Sequence, residues 1–237
     1  MMGQIGYGYG SEWHLLRWMG RHRSELDRQV LEHLGGKAKA IEWNDFKFAP
    51  GYKWPDKWPD RELLGMEFLE GTKHAKALPH WKEFWPHGSG IHNWDAVGWV
   101  VCKGGAKELL LVEAKAERKE IKSNCGATAK RSLEMIEAAF EETKSALNVK
   151  PERDWKNEYY QMTNRIAALW FLRKRKIPAH LLNIYFCGDI PKPGRESPRS
   201  EAEWKKVLKE QDKHIGLPRN HPLKDCMHKF FLPIALG

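Results

Sequence analysis

The stretch that decides the fold is DAVGWVVCKGGAKELLLVEAK, residues 95–115. Two apolar, β-rich runs, residues 97–102 and 108–114, flank the pair Gly104-Gly105. This pattern predicts two strands joined by a tight turn. Because side chains alternate along a strand, Glu113 and Lys115 share the second strand's face with leucines. Charges on a strand that is otherwise core need a partner, a hydrogen bond or a metal ion.

The length of the turn decides whether Asp95 joins these charges. A plain two-residue loop would place Asp95 opposite Ala114, on the wrong face of the hairpin. A three-residue connection or a bulge, which glycine readily supplies, pairs Asp95 with Glu113 instead. Two directly opposed carboxylates repel each other unless a cation lies between them. The alternative is a hairpin end with a Glu113–Lys115 surface pair, which contributes little.

Asp95 followed by Glu113-Ala114-Lys115 at the end of an apolar strand resembles the PD-(D/E)XK, or restriction-endonuclease-like, nuclease superfamily, although the proline of the motif is absent. The resemblance implies an α/β fold with a restriction-endonuclease-like core, a central mixed β-sheet flanked by helices. It implies a deoxyribonuclease in which Asp95, Glu113 and the Ala114 carbonyl hold Mg²⁺ or Mn²⁺. Lys115 would then position the attacking water and offset charge on the phosphate.

A further acid is expected from the first helix, which Ser11 can cap. Glu12 lies near the middle of the helix's apolar stripe, and this superfamily often supplies a metal-site Glu from its first core helix. Glu12 is therefore predicted as a catalytic and metal-binding residue. The alternatives are a first-turn acid that favours the helix dipole and Glu67 in the metal-binding role. Arg23 also falls in the stripe, so either the helix breaks at Gly20 or Arg23 snorkels.

The order of the remaining elements also fits the resemblance. Helices are predicted at about 128–147, 155–174 and 200–213, and strands at about 40–48, 179–187 and 229–234. Ser200 and Glu203 form a capping box that opens the last helix. An acid-x-Lys strand, then helices, then a buried strand is the order expected of the superfamily core.

Several polar residues are candidates for contact with substrate. Gln161 loosely matches a polar residue that many relatives place on the helix after the acid-x-Lys strand, and Arg165 follows it at i+4. The alternative is a plain surface pair. Ser123 and Asn124 offer phosphate donors at the approach to a helix, where ordinary capping is an equal explanation.

Two basic residues at the end of the 155–174 helix complete the nucleic-acid candidates. Arg173 and Lys174 open a basic run at this end, which suits the helix dipole and a DNA backbone. The net charge of +9 also suits a polyanion, although solubility alone explains it as well.

The chain is predicted to form a single domain, residues 1–237, with a Trp/Pro-rich insertion at about 36–94. That insertion could pack over the core or offer an aromatic wall for stacking bases. Four isolated cysteines show no disulfide framework, and neither a signal peptide nor a membrane segment is recognised. A cytoplasmic protein without membrane contact is expected.

Three classes of function follow from these residues. The first is a metal-dependent nuclease with nucleic acid, most simply DNA, as its partner. The second is a catalytically inactive nucleic-acid-binding protein on the same fold. The third is a structural domain that uses the Trp-rich insertion as its interface. The oligomeric state stays open, with a homodimer as one option.

Overall fold

A computed structural model describes residues 8–35, 38–44, 63–87, 93–190, 193 and 195–235. In these ranges the helices are α1 (Ser11–Arg21), α2 (Arg23–His33), α3 (Leu78–Phe84), α4 (Lys130–Ala146), α5 (Tyr160–Lys174) and α6 (Glu201–Ile215). The strands are β1 (Ala38–Trp43), β2 (Leu63–Leu64), β3 (Asn93–Trp94), β4 (Ala96–Cys102), β5 (Lys107–Lys115), β6 (Ala179–Cys187) and β7 (Met227–Pro233). Short 3-10 helices connect several of them.

The central sheet has the strand order β1-β4-β5-β6-β7. The first three strands pair antiparallel, and β5, β6 and β7 pair parallel. Parallel neighbours need a long crossover, which α4 and α5 supply between β5 and β6. The predicted α/β architecture, a mixed sheet flanked by helices, is confirmed.

The register of the β4–β5 hairpin agrees with the sequence prediction. Ala96 pairs with Val112, and the Cys102 amide donates to the Ala106 carbonyl at 2.8 Å. Three residues therefore connect the strands, and Gly105 takes the positive φ of 81° that this turn requires. The strand pairing ends at Ala96 and Val112, so the preceding residue, Asp95, lies at the same end of β5 as Glu113.

The two faces of the sheet are covered by different helices. On one face α1 and α2 pack against the even-numbered side chains of β5, such as Val112 and Ala114. On the other face α3, α4, α5 and α6 pack against the odd-numbered ones, such as Leu109 and Leu111. Glu113 therefore lies on the face that α5 covers and α1 does not.

Some element boundaries differ from prediction for local reasons. The first helix does break, but at His22 rather than Gly20. The helix predicted from about residue 155 begins at Tyr160, because the Asp154 side chain accepts the Lys156 and Asn157 amides in a turn before it. The strand predicted at about 40–48 ends at Trp43 in the described chain.

The Trp/Pro-rich segment is partly core. β1 belongs to the central sheet, and Trp81, Trp85 and Trp94 are all buried in the larger core cluster. These three rings are therefore not available for stacking bases in this structure. The repeated Lys-Trp-Pro-Asp sequence at 53–60 lies outside the described residues.

All four cysteines lie in the described part of the chain, and each is a free thiol. Within the same part, every helix falls short of the length and apolar character that crossing a bilayer requires.

Candidate active site

The β4–β5 hairpin places Asp95 beside its own partner strand. The Asp95 amide donates to the Val112 carbonyl at 3.2 Å, and Asp95 Oδ2 accepts the Ala114 amide at 2.6 Å. The side chain thus folds back over β5, next to Glu113. Because hairpin register is set by the short turn, two distant positions in sequence become neighbours at the end of the sheet.

Glu113 is buried, only 4% exposed, and is held by two cations. Its Oε1 accepts Lys115 Nζ at 2.5 Å, and its Oε2 accepts Arg165 Nε at 2.8 Å. Burial acts to raise the pKa of Glu113, but the charges and hydrogen bonds of Arg165 and Lys115 outweigh it and lower this pKa. Glu113 is therefore a carboxylate with both oxygens engaged.

Arg165 lies in the core rather than on a surface that could contact nucleic acid. The sequence predicts that it contacts nucleic acid, yet it is 2% exposed and faces β5. Besides Glu113, it donates to the Asn164 side chain at 2.9 Å and to the Asn93 carbonyl. Its guanidinium also lies 4.7 Å from the Trp94 ring centroid. An arginine in a helix that is apolar nearly all round needs a buried acid, and that signal was present in the sequence.

Asp95 is half-buried. Its pKa is shifted in the opposite direction to that of Glu113. Burial, and then the charge of Glu113, raise the pKa of Asp95 to about 7, against the weaker opposing influence of Lys115, the Ala114 amide and Arg165. Near neutral pH this carboxyl therefore carries a proton part of the time. A cation that entered beside it would displace that proton.

Glu12 does not belong to this cluster. Its side chain is exposed, and α1 buries His14, Leu15, Trp18 and Met19 instead, against the face of β5 opposite Glu113. The prediction of an inward Glu12 is wrong because it assumed one uninterrupted stripe across the break at His22. Glu67, the alternative, is also exposed.

Asp95 and Glu113 suit a cation that keeps part of its water shell rather than one coordinated by protein ligands alone. Among the described residues, no group of three or more His, Cys, Asp or Glu side chains is placed to hold a metal ion. Mg²⁺ commonly takes one or two carboxylates and completes its shell with water and phosphate oxygens. Asp95 and Glu113 meet that smaller requirement.

Ser123 and Asn124 contact the start of α5. Ser123 Oγ accepts the amide of Gln161, in the first turn of α5, at 2.8 Å. Asn124 Oδ1 accepts the amide of Glu158, just before that helix, at 2.8 Å. Their contact with phosphate stays a prediction. Gln161 is half-buried one turn before Arg165, and its catalytic role stays a prediction.

Arg173 and Lys174 are exposed at the far end of α5. Lys174 Nζ lies 3.0 Å from Glu142 Oε1. At 1.5 Å per residue, Arg173 is about 12 Å along the helix from Arg165. Their contact with nucleic acid remains a prediction, and it would be made away from the Asp95–Glu113 pair.

Comparison of the chain with protein-family models, curated proteins and solved structures finds no match.

Proposed function

We propose that this protein is a metal-dependent nuclease with a restriction-endonuclease-like core, which hydrolyses phosphodiester bonds in DNA. The observation that carries the proposal is the hydrogen bond of the Asp95 carboxyl group to the Ala114 amide, directly beside Glu113, whose carboxylate pairs with Lys115 at 2.5 Å. The strand that bears Glu113 and Lys115 is followed by two helices and a parallel buried strand. This order supports the resemblance drawn from the sequence.

In this proposal Asp95, Glu113 and the Ala114 carbonyl would hold Mg²⁺ or Mn²⁺. When bound, such an ion activates water and neutralises charge on the phosphate. The Lys115 side chain is 12% exposed, so its ammonium lies at the border between core and solvent. From there it would orient the attacking water and bind a phosphate oxygen.

Arg165 acts as a positioning residue rather than a catalytic one. It is buried behind Glu113 and fixes one carboxylate oxygen through its Nε. Lys115 fixes the other. A carboxylate held at both oxygens keeps one orientation, which is what a preorganised site requires.

The same pairing favours a second candidate function, a catalytically inactive nucleic-acid-binding protein. Both oxygens of Glu113 are already ion-paired, so an ion must share them with Lys115 and Arg165.

The net charge of +9 suits a polyanion under either function. Free cysteines suit a reducing compartment such as the cytoplasm.

Cleavage assays separate the two functions. Purified protein is incubated with single- and double-stranded DNA and RNA in Mg²⁺, Mn²⁺ or EDTA, beside an Asp95→Asn variant. Asparagine keeps an acceptor for the Ala114 amide while removing the charge. Metal-dependent cleavage of DNA that Asp95→Asn abolishes supports the nuclease.

Other outcomes of these assays would contradict the nuclease proposal or its assigned site. Nucleic acid that is bound but never cut under any metal favours the binding protein and overturns the nuclease. Cleavage that persists in EDTA, or that Asp95→Asn retains in full, also overturns the assignment of the site. Calorimetric titration of wild type and variant with Mn²⁺ reports ion binding independently of turnover.

A further inference from the structure

A basic cavity lies away from the proposed active site, near the start of β5. It has a volume of about 400 Å³, and its lining includes Lys73, His74, Lys76, His80 and Arg175. Ile177 also lines it, and the next residue, Pro178, accepts the Leu109 amide at 2.8 Å. The cavity is therefore next to the turn end of the hairpin, whereas Asp95 and Glu113 lie at the other end.

The charge of this cavity has one sign. Among the described residues that line it, five are basic and none is acidic. His80 has an exposed ion pair with Glu83 at 3.2 Å, so the two lysines and Arg175 dominate the local charge. A concave surface lined by cations concentrates anions.

Two nitrogen atoms of the lining residues point to a ligand. His74 Nε2 and Arg175 Nε are shielded from solvent and find no hydrogen-bond partner within the described chain. A buried polar atom left unpaired destabilises the fold. Arginine Nε is a donor only, so the group that would satisfy it is an acceptor, as the oxygens of an anion are.

Aromatic rings hold both of these side chains in place. The His74 ring stacks on Trp99 with centroids 6.1 Å apart and planes at 12°. The Arg175 guanidinium carbon lies 4.4 Å from the centroid of the Phe171 ring. Side chains fixed in this way lose little further freedom when they bind an anion.

We propose that this cavity is a phosphate-binding site that takes a backbone phosphate of the nucleic acid. The inference rests on the nucleic-acid partner of the proposed function, although not on cleavage. Lys107 and Glu113 are six strand positions apart, about 20 Å. The phosphate held in the cavity would therefore lie on the order of 20 Å from the bond at Lys115.

The test is binding in EDTA, where no cleavage can intervene. A fluorescent single-stranded 12-mer is titrated by anisotropy at several salt concentrations. The variants are Arg175→Gln and the double variant Lys73→Gln/Lys76→Gln, whose lysines are exposed and do not support the core. The matched control is Lys206→Gln/Lys209→Gln, which removes two exposed charges from α6.

The cavity variants are expected to weaken binding about tenfold. They are also expected to lower the salt slope by about 0.7 for each phosphate that the protein no longer neutralises. The control is expected to change affinity by less than about twofold. Equal decreases in affinity for the cavity and control variants would overturn the proposal, since they would indicate diffuse attraction.

Two further arms identify the source of the phosphate and the length of the bound strand. Inorganic phosphate is added as a competitor. If it binds wild type but not Arg175→Gln while 12-mer affinity is the same in both, the cavity takes free phosphate and the backbone assignment fails. A 4-mer, too short to span the distance, is expected to bind the cavity variants and wild type with a much smaller difference. Absence of cleavage by wild type would end the nuclease proposal and leave this binding result unaffected.

Discussion

Two acids, buried Asp189 and half-buried Asp95, differ in how far their neighbours compensate the carboxyl group. Asp189 Oδ1 is 2.8 Å from His14 Nε2 and accepts the Ile190 amide at 2.8 Å, while Oδ2 accepts the Gly10 amide at 3.0 Å. This carboxylate has three partners and joins the start of α1 to the end of β6. It lies on a connection between elements and faces no other acid in these contacts.

Asp95 is arranged differently. It is close enough to a second carboxylate, Glu113, for that charge to act on it, accepts one main-chain amide at 2.6 Å and has a pKa raised to about 7. Burial of an acid therefore does not by itself mark a site, because Asp189 is more fully buried. What distinguishes Asp95 is charge that its neighbours leave partly uncompensated, which is typical of functional groups.

The largest effect is expected from Glu113→Gln. The substitution leaves Arg165 and Lys115 without their shared carboxylate, and breaking a buried pair typically costs about 3–5 kcal/mol. The free energy of unfolding from urea titration measures this loss. The control, Glu25→Gln, breaks its exposed ion pair with Arg28 and is expected to lower the free energy of unfolding far less, because solvent screens that pair. Similar losses in the two variants would contradict the role of Glu113 as the counter-ion of a buried cluster.

Lys115→Met tests chemistry at the same cluster. Methionine preserves much of the side-chain volume but removes the ammonium, so phosphodiester cleavage is expected to slow about 10²–10³-fold. Ion binding measured by calorimetry is expected to persist, since Lys115 is not a ligand. A cleavage rate within about threefold of wild type would remove Lys115 from the mechanism.

The raised pKa of Asp95 predicts a pH-dependent stability. Asp95 binds its proton more tightly in the folded than in the unfolded chain, where its pKa is near 3.8. Its contribution therefore lowers the free energy of unfolding as pH rises from about 4 to about 7, by up to about 1.4 kcal/mol per unit. The contribution levels off only above about pH 8, where Asp95 is ionised in both the folded and the unfolded chain. The difference between wild type and Asp95→Asn across pH 5–8 isolates it, and a difference that does not change with pH would argue against the raised pKa.

Asp189→Asn is expected to affect stability alone. The amide can replace only part of the acceptor capacity around Asp189, which predicts a loss of about 1–3 kcal/mol in the free energy of unfolding. Cleavage per folded molecule is expected to equal wild type. Loss of activity in a sample that is still fully folded would show that the two acids are less separate than their geometry indicates.

The smallest effect is expected from Glu12→Gln. Glu12 is exposed and α1 covers the face of β5 opposite Glu113, so ion affinity and cleavage rate are expected to stay within about twofold of wild type. Calorimetry with Mn²⁺ and the cleavage assay check both. A tenfold loss of ion affinity would return Glu12 to the site and contradict the packing of α1.

Features determined by neighbouring residues could be predicted from the sequence, whereas features that depend on distant contacts could not. Gly104-Gly105 located the hairpin but allowed two registers, whereas the β6 boundaries followed from an apolar run with clear ends. The inward face of α1 was not predicted, because a break at His22 changed the helix phase. Arg165 was assigned to nucleic acid since its partner is 52 positions away, and the His14–Asp189 contact spans 175. Such contacts depend on tertiary packing, which periodicity does not report.

The short turn also orders events as the chain folds. Asp95 and Ala114 are 19 positions apart, and a hairpin of this kind forms in about 1–10 μs. The contact of Arg165 with Glu113 closes a longer loop through α4 and part of α5, which costs more chain entropy. We therefore expect the two carboxylates to meet with Lys115 beside them before Arg165 docks.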